Sequence, residues 1–205
     1  MTIVLNEPLS QISLLFVSAA MAFIALALVL FSLQLSTLLG QTPEERAKLS
    51  NIEKIAFIVT AVGTVVLGIG VVMRGVAAGR VPWANMYEFS ITGALAFSAA
   101  YLFALKKYKL RWLGLPVSLS VLLTLGTAVT LLYRPSAPLM PALKSPWLVI
   151  HVSAAIISGG VFLLANCIAA TYLILDRYEQ KGLRPVWAEK LPSLEALDNL
   201  SYRLV

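Results

Sequence analysis

The chain has 205 residues, 59% of them hydrophobic and only 13% charged, with a mean hydropathy of +0.85 and a formal net charge of +6. Soluble domains carry about 25% charged residues, so this balance excludes an ordinary water-soluble fold and points to an integral membrane protein. The basic residues sit in short connectors between apolar runs, which is a topology signal and not a polyanion-binding surface; nucleic acid is not an expected partner.

A helix needs about 20 apolar residues to cross the hydrocarbon core. Five runs reach that length, at about 12–39, 55–73, 86–105, 113–133 and 147–175, and a further helix starts at about 193–205. The expected fold is therefore all-α: a polytopic transmembrane helix bundle forming one membrane domain over 1–205, because lipid cannot satisfy open backbone groups. The opening segment MTIVLNEPLSQIS has no Lys or Arg before the first apolar run, so that run reads as a retained span and not as a secretory signal. Arg46, Lys48 and Lys54 lie between spans one and two, and Lys106, Lys107, Lys109 and Arg111 between spans three and four. Arg177, Lys181, Arg184, Lys190 and Arg203 follow span five, whereas the opposite connectors hold only Arg74, Arg80, Arg134 and Lys144. The positive-inside rule then puts the N-terminus outside and the C-terminal tail in the cytoplasm. Cys167, the sole cysteine, lies within an apolar run and reads as a small lipid- or helix-facing residue.

The first outward connector, RGVAAGRVPWANMYEFSITG (74–93), breaks the second helix at Gly79 and Pro82 and offers Asn85 as a cap for the third. Asn85 and Glu88 have capping-box spacing, and a carboxylate suits the positive end of a helix dipole. The functional alternative has Trp83, Tyr87 and Glu88 lining a cleft for an external ligand, although Trp83 and Tyr87 also read as interface anchors. The second outward connector, RPSAPLMPALKSPW, holds Pro135, Pro138, Pro141 and Pro146. Proline has no amide donor, so this stretch is expected to run irregularly over the outer surface, as a stiff link or as a roof over a pocket.

His151, the only histidine, follows Trp147 by four residues, roughly 6 Å along a helix. Span five enters from the outer side, which puts the imidazole just beneath the outer headgroups. Ala154, Ala155 and Ser158 share its helical face, with Phe162 a turn further. Small residues there allow a second helix to approach closely, and a packing role for the histidine follows from that. Ionisable groups within spans also mark ligand pathways, and neutral imidazole is a common axial ligand to haem iron. On residues alone, both readings stand.

Two segments go further. VPWANMYEFSITG (81–93) and PALKSPWLVIHVSAAIISGG (141–160) resemble the CcsA/ResC-type subunit, called CcsB in some bacteria, of system II cytochrome c synthases. The family carries a related Asn-x-Tyr-Glu segment opening one span and a Leu-x-Ser-x-Trp-Leu-x-x-His-Val segment opening a later one. LDNLSYRLV (197–205) is similar to the lead-in to the family's next span. The resemblance implies cytochrome c biogenesis: b-type haem is taken across the membrane as bound substrate and presented at the outer face. There it is joined covalently to the two cysteines of an apocytochrome c Cys-x-x-Cys-His motif. It implies that His151 is one of two external axial ligands to the iron, with Trp147 positioning the helix mouth and Trp83, Tyr87 and Glu88 as candidates for lining the path. It also implies a ResB-type membrane partner and a bacterial cytoplasmic membrane as the setting. The family's Trp-rich motif, second external histidine and remaining spans are expected after residue 205, so this chain is expected to supply one part of a haem-lyase complex and not to complete the reaction alone. The competing classes are a small-solute transporter or permease subunit with an external cleft, and a structural membrane subunit in which His151 only packs.

Overall fold

The computed structural model describes residues 7–36, 43–108, 110–137, 145–183, 188 and 191–204, with no account of the side chains of residues 36, 43–50 and 106. Six α-helices occupy the described residues: α1 Glu7–Ser36, α2 Pro43–Ala78, α3 Met86–Tyr108, α4 Gly114–Thr130, α5 Pro146–Glu179 and α6 Leu194–Leu204, with a 3-10 turn at Arg111–Leu113 before α4. The first five are long and apolar enough to cross a membrane, and the protein is a multi-pass helical bundle.

The helices outrun the apolar stretches for identifiable reasons. α1 starts at Glu7, where an acidic residue in the first turn complements the helix dipole and Pro8 costs no hydrogen bond. α5 takes Pro146 into its first turn and continues through Asp176–Glu179, past the end of the apolar run. It stops at Gly182 (φ 67°), whose amide and that of Leu183 fold back onto the carbonyls of Glu179 and Tyr178. α4 is shorter than its apolar run, ending at Thr130, where the amides of Leu131 and Leu132 both fold onto the Thr127 carbonyl. The proline-rich stretch 138–144 lies outside the described residues.

Close approach between helices sets the bundle. α1 and α2 run antiparallel: Ser13 Oγ–H donates to the carbonyl of Gly70 at 2.7 Å, where the glycine lets the two backbones meet. α3 and α5 cross at Gly160, where a Cβ would stand 3.0 Å from the backbone of Ala96 and Phe97. A core of Tyr101, Phe97, Ile91, Leu125, Leu164 and Ile168 fills the space between α3, α4 and α5. α6 is amphipathic: Leu197 is buried and Leu194, Leu200 and Leu204 half-buried against the bundle, a stripe at helical spacing. Ser193 caps it, its hydroxyl accepting from the amide of Ala196 at 3.3 Å.

The alternation of the five crossings brings the starts of α1, α3 and α5 to one end of the bundle. The other end carries Glu53, Arg111 and the last turns of α1, α3 and α5. Gly160→Leu is expected to force α3 and α5 apart and to destabilise the bundle by about 1–3 kcal/mol, read as a lower midpoint of thermal unfolding in detergent, while Gly159→Leu, which meets open space, leaves it unchanged.

Candidate functional site

At the end where α3 and α5 begin, the second helix finishes in a chain reversal that aims its last arginines at one carboxylate. Gly79 (φ 62°) closes α2, its amide donating to the Val76 carbonyl and that of Arg80 to the Gly75 carbonyl, each at 3.1 Å. This double bond pattern, available cheaply only with glycine in the left-handed region, turns Arg80 back over the start of α3. Glu88, fully buried in the first turn of α3, accepts from Arg74 Nε at 3.1 Å and from Arg80 Nη1 at 2.7 Å. Asn85 Oδ1 caps α3 by accepting from the Glu88 amide at 2.9 Å. The reciprocal bond of a capping box is displaced by one residue: the Glu88 carboxylate takes the amide of Ala84, at 3.0 Å, and not that of Asn85.

Arg74 is only 1% exposed, and every side of its guanidinium is used. Besides Glu88 it donates to Ser10 Oγ on α1 and to the Arg134 carbonyl, both at 2.6 Å, and stacks on the rings of Tyr87 and Tyr133, with centroids 5.2 and 6.0 Å away. Arg80 reaches the Ala137 carbonyl at 3.0 Å. Two guanidiniums against one carboxylate leave one surplus positive charge, and the ring faces of Tyr87 and Tyr133 supply electron density toward it. One carboxylate thus ties α1, α2, α3 and both connectors together. In the sequence, Arg74 and Arg80 read only as connector charges. The available signal was an arginine at the close of an apolar run, a position where an ionisable side chain requires a partner.

The five candidate residues are placed differently from one another. Tyr87 and Glu88 are wholly buried, and the Tyr87 hydroxyl has no hydrogen-bond partner among the described residues. Trp83 is half-buried and lines a shallow cleft of α2 and the 79–83 turn, together with Val72, Val76 and Thr92. Trp147 is 79% exposed, and His151 is exposed on the outer surface of α5 along with Ala154, Ala155, Ser158 and Gly159. Among the described residues, no hydrogen bond or ring contact joins His151 to Trp83, Tyr87 or Glu88.

They nonetheless share a level. α3 and α5 run in the same direction and touch where Gly160 meets Ala96. His151 lies nine residues before Gly160 and Tyr87 nine before Ala96, so each stands about 13.5 Å along its helix from that crossing. The imidazole is therefore at the depth of the Tyr87–Glu88 cluster, on the side of α5 that the rest of the described chain leaves uncovered.

A family model described as cytochrome C assembly protein matches residues 83–205, from Trp83 through Tyr87, Glu88, Trp147 and His151 to the last residue. The chain belongs to the cytochrome c assembly protein family. It is 28% identical over 196 residues to the "Cytochrome c biogenesis protein CcsA" of Porphyra purpurea, covering 77% of this chain and 61% of that one. It is 30% identical over 176 residues to the protein of the same name from Guillardia theta, covering 77% and 58%. The Marchantia polymorpha protein of that name is 34% identical over 114 residues, covering 54% and 36%. The chain spans about three fifths of the length of the first two relatives. The family match begins after Arg74 and Arg80, so the clamp on Glu88 joins a helix outside the matched region to the first turn of one inside it.

Glu88→Gln is expected to leave Arg74 as an uncompensated buried charge and to cost about 3–5 kcal/mol of stability. The measurement is thermal unfolding of the purified protein in detergent; an unfolding midpoint equal to that of the parent would show the clamp to be dispensable.

Proposed function

We propose that this chain is a haem-handling subunit in cytochrome c biogenesis, of the system II type, holding b-type haem at the outer membrane face through His151. The observation that carries the reading is the chain's only imidazole, exposed in the second turn of α5 inside the family-matched region and not engaged by any described residue. Neutral imidazole is a strong axial ligand to haem iron. Its surroundings suit a flat macrocycle: Ala154 and Ala155 present only methyl groups a turn below it, and a Cβ at Gly159 would meet nothing within 4 Å. Trp147, a turn nearer the membrane edge, offers an aromatic face to the same ligand or to the interface.

On this reading haem is substrate and His151 its anchor. Held by the iron, the ring keeps its vinyl groups fixed while each thiol of an apocytochrome c Cys-x-x-Cys-His motif adds across a vinyl double bond to give a thioether. The nucleophile comes from the incoming protein, so this chain's residues bind and orient. Tyr87 and Glu88 support the helix starts at that depth from inside the bundle, while Trp83 lies in the separate cleft of α2 and the 79–83 turn. The second axial ligand comes from beyond the residues of this chain, and the ResB-type subunit completes the complex. The distribution of basic residues supports an outer location for this end, with Lys107, Arg111, Arg177 and Lys181 at the opposite end.

The chain co-expressed with a ResB-type partner in a bacterial membrane and purified in mild detergent is expected to carry a haem Soret band. His151→Ala is expected to lose most of that band or shift it, with recovery on adding imidazole; haem content and spectrum unchanged in the variant would remove His151 from the site. Orientation has its own check. In a Cys167→Ser background, a cysteine at Ser145 is expected to react with a membrane-impermeant maleimide on intact spheroplasts and one at Lys181 only after lysis, and the reverse pattern would invert the topology.

A further inference from the structure

At the bundle end opposite His151, a cleft of about 360 Å³ opens between the last turn of α1, the start of α4, and α5. Its walls are Phe31, Leu35, Leu115 and Ile174, with Trp112 at the back and Arg111 at the mouth. The volume equals about a dozen waters at roughly 30 Å³ each, yet Gln34, Thr171, Trp112 and Arg111 are the only polar side chains that border it among the described residues. So much water against so few hydrogen-bonding partners is unfavourable, and the cleft suits an apolar occupant.

The mouth selects the head of that occupant. Arg111 is 66% exposed and reaches Glu53 only at 3.8 Å, beyond hydrogen-bonding distance, while Glu53 already accepts from Gln34 Nε2 at 2.9 Å. Arg177 stands one turn beyond Ile174 on α5 and is exposed. Asp176 stands beside it, so the excess of positive charge belongs to this end as a whole, where the connectors and tail carry 12 Lys and Arg against 8 Asp and Glu, and Arg111 is the cation that lines the cleft itself. The indole N–H of Trp112 is buried without an acceptor among the described residues. A planar macrocycle such as haem also combines apolar bulk with carboxylates, but the described lining contains no His, Met, Cys or Tyr to meet its iron.

We infer that this cleft binds one acyl chain of an anionic phospholipid, with Arg111 holding the phosphate. The site is independent of the haem reading and lies at the other end of the helices. It gives the bundle a lipid-dependent contact between α1, α4 and α5, where α4 and α5 have little direct packing of their own.

The test uses phosphatidylglycerol and phosphatidylcholine with brominated acyl chains, titrated into the full chain in neutral detergent. Trp112 fluorescence is isolated as the difference between the parent and Trp112→Phe. Its quenching is expected to saturate at a several-fold lower mole fraction of the glycerol lipid than of the choline lipid. In Arg111→Gln, an exposed position that the fold does not depend on, the two curves are expected to converge. Thr171→Phe fills the cleft and is expected to abolish the saturable component. Quenching that is absent, linear, or indifferent to headgroup overturns the proposal, as does a headgroup preference that survives Arg111→Gln. Displacement of the brominated lipid by inorganic phosphate alone would reassign the rim to free anions, and displacement by haemin would reassign the cleft to porphyrin; either overturns it.

Discussion

A carboxylate with two guanidiniums on it, sealed from water at the end of a membrane bundle, constrains nearly everything around it. Glu88 cannot be buried without Arg74 and Arg80, and Arg74 cannot be buried without Glu88, Ser10 and the Arg134 carbonyl. An unpaired charge at that depth costs several kcal/mol, so the pairing fixes where α2 ends, how the 79–85 turn lies, and the level at which α3 begins. The same bonds hold residues 134–137 down over the bundle end. Because α5 then crosses α3 at Gly160, the depth of His151 is tied to this cluster although it touches none of it.

The bundle is unevenly covered. α1 and α2 pack along most of their length, while α5 buries only one side, through Ile156, Gly160, Leu164 and Ile168. Its other side carries His151, small residues and Phe162 outward. In lipid such a face has no hydrophobic penalty, since hydrocarbon solvates alanine and phenylalanine well, but an imidazole there forgoes hydrogen bonds unless something meets it. A buried, ion-paired shell at the start of α3 thus stands at the same depth as an uncovered face of α5.

The two ends divide their chemistry by depth and charge. At one end a compact ion-paired cluster leaves an imidazole free on the surface beside it. At the other, an exposed arginine, Arg111, borders an apolar cleft that Trp112 also lines. The first leaves one ring nitrogen base uncovered at the depth of the cluster; the second leaves an apolar cleft beneath a charged rim.

Much of this was legible beforehand. The five crossings follow from apolar length alone, because hydrocarbon thickness and the need to satisfy every backbone group leave one solution whatever the neighbours are. The Asn85 cap, the break at Gly79 and the common face of His151, Ala154, Ala155 and Ser158 are local, set by spacing along one helix. Which groups meet across helices is not local. Tyr87 and Glu88 are sequence neighbours of Trp83 and look like one aromatic-acidic patch, yet the turn at Gly79 and the approach of α2 put the pair inside and leave Trp83 on another surface. Arg74 becomes the partner of Glu88 only because α2 and α3 are antiparallel and end at one level. Residue order by itself determined the membrane-spanning helices and their caps, since these depend on nearest neighbours and on the solvent; the tertiary structure decided which charges are paired and which face of α5 stays open, since burial is a property of whatever helix lies alongside.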